Sequence, residues 1–305
     1  MPQSQRDVKN RISAVKNIQK IARALELVAA ARLRRAEQRI EALRPYANAI
    51  RRMTRQASEA AGNVPSLPIL EEHEQVSRVG LLLIAGDRGL AGAFNSNIVR
   101  AGVAAGREHE GRGHTPVFFA SGRRPATSLT FRGLDLVDSF TGFTDRPAYA
   151  DARRIADRLM AAYVDNEVDQ VEIFYNGYIS PVSQVVRRET LLPLQRATVL
   201  DESEEEREED RQESESEHRA LVEYEPDPEE ILKRLVPDYV EISIFRALLE
   251  STASEHGARM TAMRNASDNA SDLIQTLTLE MNRARQAEIT QEILEVVAGA
   301  EGLSG

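Results

Sequence analysis

The fold is decided by residues 260–284, which read MTAMRNASDNASDLIQTLTLEMNRA. Small or apolar side chains recur there in alternating steps of three and four, the spacing of a coiled-coil seam. This seam comprises Met260, Met263, Ser267, Ala270, Ile274, Leu277, Met281 and Ala284. Residues 29–50 repeat the spacing at Ala29, Leu33, Ala36, Ile40, Leu43, Ala47 and Ile50. Each seam is a narrow stripe on a charged helix and cannot bury itself. We therefore expect the two terminal helices to pair as an antiparallel coiled coil.

The composition argues against membrane spans, thiol chemistry and metal binding. The 305 residues leave room for about two units of roughly 150 residues each. No apolar run approaches the length of a membrane-spanning helix, and the polar N-terminus lacks the apolar core of a signal peptide. The absence of Cys excludes disulfides and thiolate metal sites. The five His are scattered, so we predict no metal site and no cofactor.

The first helix, predicted from Gln5 to Ala61, is strongly basic. Residues 1–55 contain fourteen Lys and Arg against four Asp and Glu. Three interpretations are open: a solvated helix face, a basic surface that turns inside an acidic protein partner, or a nucleic-acid site. The arginines spread around the helix without interleaved aromatic residues, so we predict no nucleic-acid partner. Pro45 inside this helix predicts a bend.

The middle of the chain alternates between strand and helix patterns. The run VGLLLIAG, residues 79–86, is typical of a strand buried on both faces. Further strands are predicted at residues 116–120, 134–140, 171–176 and 182–191, with helices at 96–110, near Pro125 and at 147–164. This alternation predicts parallel crossovers, and the last two strands could form an antiparallel edge. The predicted class is α+β overall, with a coiled coil of the terminal helices and a central Rossmann-like α/β domain.

The chain divides by pattern into five segments. They are an N-terminal helix (1–61), a linker (62–77), an α/β domain (78–200), an acidic loop and linker (201–223) and a C-terminal helix (224–305). Residues 201–219 contain eleven acidic residues against three Arg. This tract predicts a disordered surface loop, with a charged solvated helix as the alternative. The last helix could break at Pro237 and continue from about Asp238 to Gly299.

One glycine-rich motif has the position of a phosphate-binding loop. GDRGLAG, residues 86–92, follows a buried strand and precedes a helix, where phosphate loops occur. It lacks both the Lys-Ser/Thr pair and the G-x-G-x-x-G spacing of nucleotide sites. A tight turn with Asn95 or Ser96 as the helix N-cap is therefore favoured over a phosphate cradle. His256 is expected to be packed or interfacial, and we predict no catalytic residue.

Five ordered motifs are more specific than any of these patterns. They are IARALELVAAARLRRA (21–36), GDRGLAGAFN (86–95), YEPDP (224–228), SEHGARMTAMRNASDNAS (254–271) and NRARQAEITQEILEVVAGA (282–300). Together they resemble the gamma subunit family of the rotary (F-type) ATP synthase. The resemblance covers nearly the whole chain except the acidic tract and parts of the α/β domain.

The resemblance implies a non-catalytic central rotor shaft that couples proton-driven rotation to ATP synthesis on the beta subunits. The implied partners are the alpha, beta and epsilon subunits and the membrane ring of c subunits, with delta as a further candidate. The implied location is peripheral, on the cytoplasmic side of the cell membrane. Residues carried over as contacts of the beta subunits are Arg285, Gln286, Thr290, Glu295, Arg259 and Leu25. Without the resemblance, an exposed helix charge is the simpler interpretation of Arg285 and Arg259.

Two other classes of protein remain open on the sequence alone. One is a coiled-coil adaptor that tethers an α/β domain, and the other is an α/β nucleotide-binding enzyme with helical arms. Co-purification with alpha, beta and epsilon subunits in defined ratio would argue against the adaptor. Saturable nucleotide binding by the isolated chain would favour the enzyme.

Overall fold

The computed structural model describes residues 5–61, 68–194 and 228–303. The chain divides into two compact units: unit 1 is Met1–Ala31 with Arg259–Gly305, and unit 2 is Arg32–Ala258. The elements are α1 (Gln5–Ala61), β1 (Arg78–Ile84), α2 (Phe94–Gly111), β2 (Thr115–Ser121), α3 (Arg123–Phe131), β3 (Leu136–Phe140), α4 (Tyr149–Val164), β4 (Gln170–Ser180), β5 (Ser183–Leu192) and α5 (Pro228–Leu303). The five-segment domain division stays a prediction, and the acidic tract 201–219 lies outside the described residues. Within the described ranges, no helix is both long enough and apolar enough to cross a bilayer.

Unit 1 is an antiparallel pair formed by the start of α1 and the end of α5. Val8 and Ile12 pack with Leu277, and farther along α1 the Gln19 side chain donates to the carbonyl of Ser267 at 3.5 Å. Arg264 then donates to Glu26 at 3.0 Å. The residue numbers rise on α1 as they fall on α5, so the predicted antiparallel pairing is confirmed.

The seam of α1 is longer than the sequence pattern indicated. Its partly or fully buried positions continue the steps of four and three back to the first turns of the helix. These earlier positions are Val8, Ile12, Val15, Gln19, Ala22 and Glu26. Two of them are polar, and both are occupied in hydrogen bonds to α5. A polar side chain at a seam position fixes the register of paired helices at some cost in stability.

Unit 2 is built on a five-stranded sheet in the order β3-β2-β1-β4-β5. β1 pairs in parallel with β2 and β4, β2 pairs in parallel with β3, and β4 pairs antiparallel with β5. The predicted alternation of strands with helices, the parallel crossovers and the antiparallel last pair are confirmed. The carboxyl ends of the parallel strands lie at one edge, where ligands of such sheets usually bind.

Helices cover both faces of this sheet. Alternate strand residues pack on one side against α4 and the start of α5, including Val240 and Ile244. The other side packs against α2 and α3, including Ile98 and Leu129. Gly102 permits α2 to lie close to β1, because a Cβ at this position would stand 2.7 Å from the side chain of Leu83.

The remaining parts of α1 and α5 in unit 2 also pack together. Ile50 contacts Leu235 and Ile242 in a small apolar cluster. α1 is further attached to the α/β core by polar contacts: Arg32 pairs with Asp145 at 2.9 Å, and the hydroxyl of Tyr178 donates to Glu37. Part of the basic charge of α1 is therefore neutralised within the chain.

Two local predictions are wrong. α5 continues through Pro237 without a break, and buried neighbours on both sides, Val236 and Val240, hold this part of the helix against the core. α2 begins at Phe94 with Ala93 at the N-cap position, so neither Asn95 nor Ser96 caps it. The Asn95 side chain instead accepts from the amide of Gly86 and donates to the carbonyl of Arg88. The bend at Pro45 stays a prediction, although α1 is helical throughout.

Candidate functional site

The last described turns of α5 expose their whole circumference. All fourteen residues from Arg285 to Ala298, here called the terminal segment, are exposed. Large apolar side chains are among them: Ile289, Ile293, Leu294, Val296 and Val297, of which Val296 is 72% exposed. The pairing register of unit 1 explains this exposure, because α1 begins at Gln5 and leaves the last turns of α5 without a neighbour among the described residues.

Helical geometry sorts the terminal segment into faces. At about 100° per residue, Ile289, Ile293, Val296 and Val297 fall within roughly a third of the circumference, with Arg285 and Gln286 along the same arc. Glu288, Glu292 and Glu295 gather on a neighbouring arc. The segment therefore presents an apolar stripe next to an acidic one, with a guanidinium and an amide at its start.

Four of the predicted contact residues lie in this segment, and their hydrogen bonds are local. The hydroxyl of Thr290 donates to the carbonyl of Gln286 at 2.8 Å. The side chain of Gln291 donates to Glu295 at 3.1 Å. Arg285 and Gln286 are exposed. All four side chains are accessible to an external partner, because none of them is buried by the fold.

The other two predicted residues lie elsewhere in unit 1. Leu25 and Arg259 are partly buried, and Leu25 is adjacent to Glu26, which pairs with Arg264 and Arg23. Arg259 and Arg285 are twenty-six positions apart on one helix, or about 39 Å at ~1.5 Å per residue. The six residues therefore form two separate groups rather than one site.

Sequence reasoning missed the role of the residues that precede Arg259. The seven residues 251–257, STASEHG, are all buried. The hydroxyls of Ser251, Thr252 and Ser254 donate to the carbonyls of Ile84, Thr144 and Asn176, at 3.5, 2.9 and 3.0 Å. His256 is 1% exposed, so its predicted packing is confirmed. The sequence signal that could have predicted this burial was the run of small and hydroxyl-bearing side chains within a helix.

A polar cluster holds the turn of α5 just before this stretch. Arg246 donates to Glu189 at 2.7 Å, and the hydroxyl of Tyr175 donates to the same carboxylate at 2.5 Å. Burial raises the pKa of the neighbouring Glu250, while the guanidinium groups of Arg246 and Arg187 act in the opposite direction. These charges link α5 to the β4–β5 hairpin rather than to a ligand.

The loop at the carboxyl ends of the strands is occupied by the protein's own carboxylate. Asp87 accepts hydrogen bonds from the amides of Arg123, Gly142 and Thr144 and from the hydroxyl of Thr144, at 2.9 to 3.3 Å. The amide of Arg123 belongs to the first turn of α3, where a bound phosphate would otherwise be attracted. This arrangement favours the tight-turn interpretation of GDRGLAG over a phosphate cradle. Among the described residues, no group of three or more His, Asp or Glu side chains could hold a metal ion.

Known proteins that this chain resembles are named as parts of ATP synthases. A family model described as ATP synthase matches residues 4–303. The ATP synthase gamma chain of Rubrobacter xylanophilus is 43% identical, over 99% of both chains. A solved chain from the central stalk and c-ring of the Tetrahymena thermophila mitochondrial ATP synthase is 25% identical, covers 81% of this chain and 99% of its own, and has a TM-score of 0.58. A chain from the Euglena gracilis mitochondrial ATP synthase, 17% identical, has a TM-score of 0.65 over 98% of this chain and 94% of its own, which shows a shared fold.

Proposed function

Because this chain belongs to the ATP synthase gamma chain family, we propose that it acts as the central rotor shaft of a rotary ATP synthase. In this role it couples proton-driven rotation of a membrane ring to ATP synthesis on the catalytic beta subunits and performs no chemistry itself. A shaft can change a catalytic subunit only by binding one of its conformations better than another. The surface that makes this distinction must therefore be asymmetric.

The exposed terminal segment is the observation that carries the proposal. Its apolar side chains are in contact with water. Each Å² of exposed apolar surface is unfavourable by about 25 cal/mol of free energy relative to burial. Exposed contiguous apolar surface in a folded protein usually marks an interaction site. A surrounding ring of alpha and beta subunits would cover the apolar stripe. The acidic stripe beside it supplies the asymmetry that differential contact requires.

Within this surface, we assign the contact with the beta subunits to particular residues. Arg285 and Gln286 stand at the start of the apolar arc and would bind a loop of a beta subunit through charge-assisted hydrogen bonds. Thr290 and Glu295 extend the same contact along the segment. Arg259 and Leu25 form a second contact, about 39 Å away along α5.

The remaining partners follow from the same role. The α/β unit would meet the epsilon subunit and the c-ring, and the ring of alpha and beta subunits would surround the paired helices. Delta remains a further candidate. The complex would place this chain peripherally on the cytoplasmic side of the cell membrane.

The test is a pair of substitutions in the reconstituted complex. Arg285→Ala with Gln286→Ala should lower ATP synthesis and coupled ATP hydrolysis by about tenfold or more, because charge-assisted bonds contribute on the order of 1.5–3 kcal/mol each. Both side chains are exposed, so the melting temperature of the isolated chain should not change. Arg283→Ala is the matched control, since Arg283 is exposed on the same helix but lies off the apolar arc. Unchanged activity in the double variant would exclude the assigned contact.

A further inference from the structure

The outer face of unit 2 carries a groove between α2 and α3. Its volume is about 570 Å³, and it is lined by arginines from both helices. Arg100 and Arg107 come from α2, Arg124 comes from α3, and Arg132 directly follows the last residue of α3. All four are exposed. We call this feature the arginine groove.

The positive charge of the arginine groove is not balanced locally. None of the twelve residues that line it is acidic. Within the described parts of the chain, Arg100, Arg107 and Arg132 make no ion pair with a carboxylate. The nearest acid along α2, Glu108, pairs instead with Arg112 and Arg188. Four like charges around one groove repel one another, and an anionic ligand would relieve that repulsion.

Apolar surface is exposed in and beside the same groove. Phe131, which lines it, is 91% exposed. The loop before α2 reaches the other end, because a Cβ on Gly89 would stand 2.9 Å from the Arg124 guanidinium. Leu90, the next residue, is 65% exposed and has a φ of 62°, a conformation uncommon for residues other than glycine. Arginine and aromatic side chains are enriched in the energetically important parts of protein interfaces.

We propose that the arginine groove docks an acidic segment of a partner protein, with an apolar side chain of that segment packed on Phe131. Guanidinium groups bind carboxylates through paired hydrogen bonds, and four of them suit a short run of Asp and Glu. A long polyanion such as nucleic acid fits less well. The chain as a whole has a net charge of −9, and Phe131 alone offers no series of stacking rings. This inference rests on unit 2 and is independent of the rotor function proposed for the terminal segment.

The test uses the full chain and a fluorescent synthetic peptide of Asp, Glu and Leu, with binding followed by anisotropy. Arg100→Glu with Arg107→Glu should weaken binding by about tenfold or more, because two attractive contacts become repulsive. Lys233→Glu with Arg234→Glu is the matched control. It makes the same change in net charge at exposed positions of α5 outside the groove, and it should weaken binding less than about twofold. Arg100→Gln with Arg107→Gln should give an intermediate loss, and thermal melting checks that each variant is folded.

A second arm tests the apolar contact. Phe131→Ala should weaken binding of the leucine-containing peptide several-fold. Binding of a peptide with Gly in place of Leu should not change. An equal loss for both peptides would remove the aromatic contact from the proposal.

Three other results would overturn the proposal. Equal weakening by the groove and control variants would mean that the peptide senses only net charge. Displacement of the peptide by an oligonucleotide of equal charge at equal or lower concentration would identify a nucleic-acid surface. A gain in peptide affinity of about tenfold on deleting residues 203–217, abolished by the groove variant, would identify this chain's own acidic tract as the occupant.

Discussion

Two stretches of α5 invert the usual relation between polarity and burial. Residues 251–257, STASEHG, are largely polar and all buried. Residues 289–297, ITQEILEVV, include five large apolar side chains and are all exposed. The difference follows from what each stretch contacts. The first faces the backbone carbonyls of Ile84, Thr144 and Asn176, which accept its hydroxyl hydrogen bonds. The second contacts no other described element, so its apolar side chains remain exposed to water.

A polar stretch of helix can be buried at little cost in stability when its hydroxyl groups are hydrogen-bonded. A buried hydroxyl without a partner is destabilising by about 1–3 kcal/mol, whereas a paired one is nearly neutral or favourable. Each of Ser251, Thr252 and Ser254 is paired with a carbonyl from a different segment of unit 2. The stretch therefore holds α5 in one position on the sheet, which an apolar surface would specify less sharply.

The largest expected effect comes from breaking the buried stretch. Ser254 is 0% exposed, so Ser254→Leu adds volume where there is none and removes the hydrogen bond to the carbonyl of Asn176. We expect a loss of about 3 kcal/mol or more in the free energy of unfolding, measured by urea denaturation of the full chain. Ser254→Ala is the control, and its cost should be about 1–2 kcal/mol. A leucine tolerated without loss would contradict the tight packing of this stretch.

A smaller effect should follow from opening the loop at the strand ends. Thr252 donates to the carbonyl of Thr144, and the amide and hydroxyl of Thr144 donate to Asp87, so the buried stretch and this loop share a partner. Asp87→Ala leaves the donors around it without their acceptor and should cost about 2 kcal/mol. Asp87→Asn retains one acceptor oxygen and should cost less. Equal stability of wild type and Asp87→Ala, again by urea denaturation, would show that water replaces the carboxylate without penalty.

The smallest effect on stability is expected in the terminal segment. Ile293→Ser with Val296→Ser removes two exposed apolar side chains and should change the free energy of unfolding by less than about 0.5 kcal/mol. The same variant should self-associate less than the wild type in sedimentation experiments at physiological salt, because less apolar surface is exposed. A large destabilisation would mean that these side chains are packed within the chain, and the contrast between the two stretches would fail.

The sequence predicted the regular elements well because their patterns are local. The order of strands and helices and the pairing of the terminal helices followed from apolar periodicity. The same reasoning placed the start of the α1 seam at Ala29, although the structure continues it to Val8. Gln19 and Glu26 occupy seam positions but are polar, so a search for apolar periodicity does not recognise the seam at these residues. Their partners on α5 are 248 and 238 positions away.

The site was less predictable for the same physical reason. Asp87 looks like one residue of a glycine-rich loop until the amides of Arg123 and Gly142 are seen to surround it. The arginine groove joins two helices whose sequences are unremarkable when read separately. The contact role of Arg285 and Gln286 came from a resemblance and stays a prediction, because the structure shows their exposure but no partner.

The covering of the sheet by α5 has a consequence for protein synthesis. One face of the sheet is completed by Val236, Val240 and Ile244, which leave the ribosome long after β1 to β5. Until then the part of that face that α5 covers is exposed to water, although α4 already packs on the rest. A growing chain in this state is prone to aggregation. The seam of α1 is also unpaired during synthesis, because its partner residues on α5 are translated last. A nascent chain of this protein should therefore depend on chaperones until translation is nearly complete.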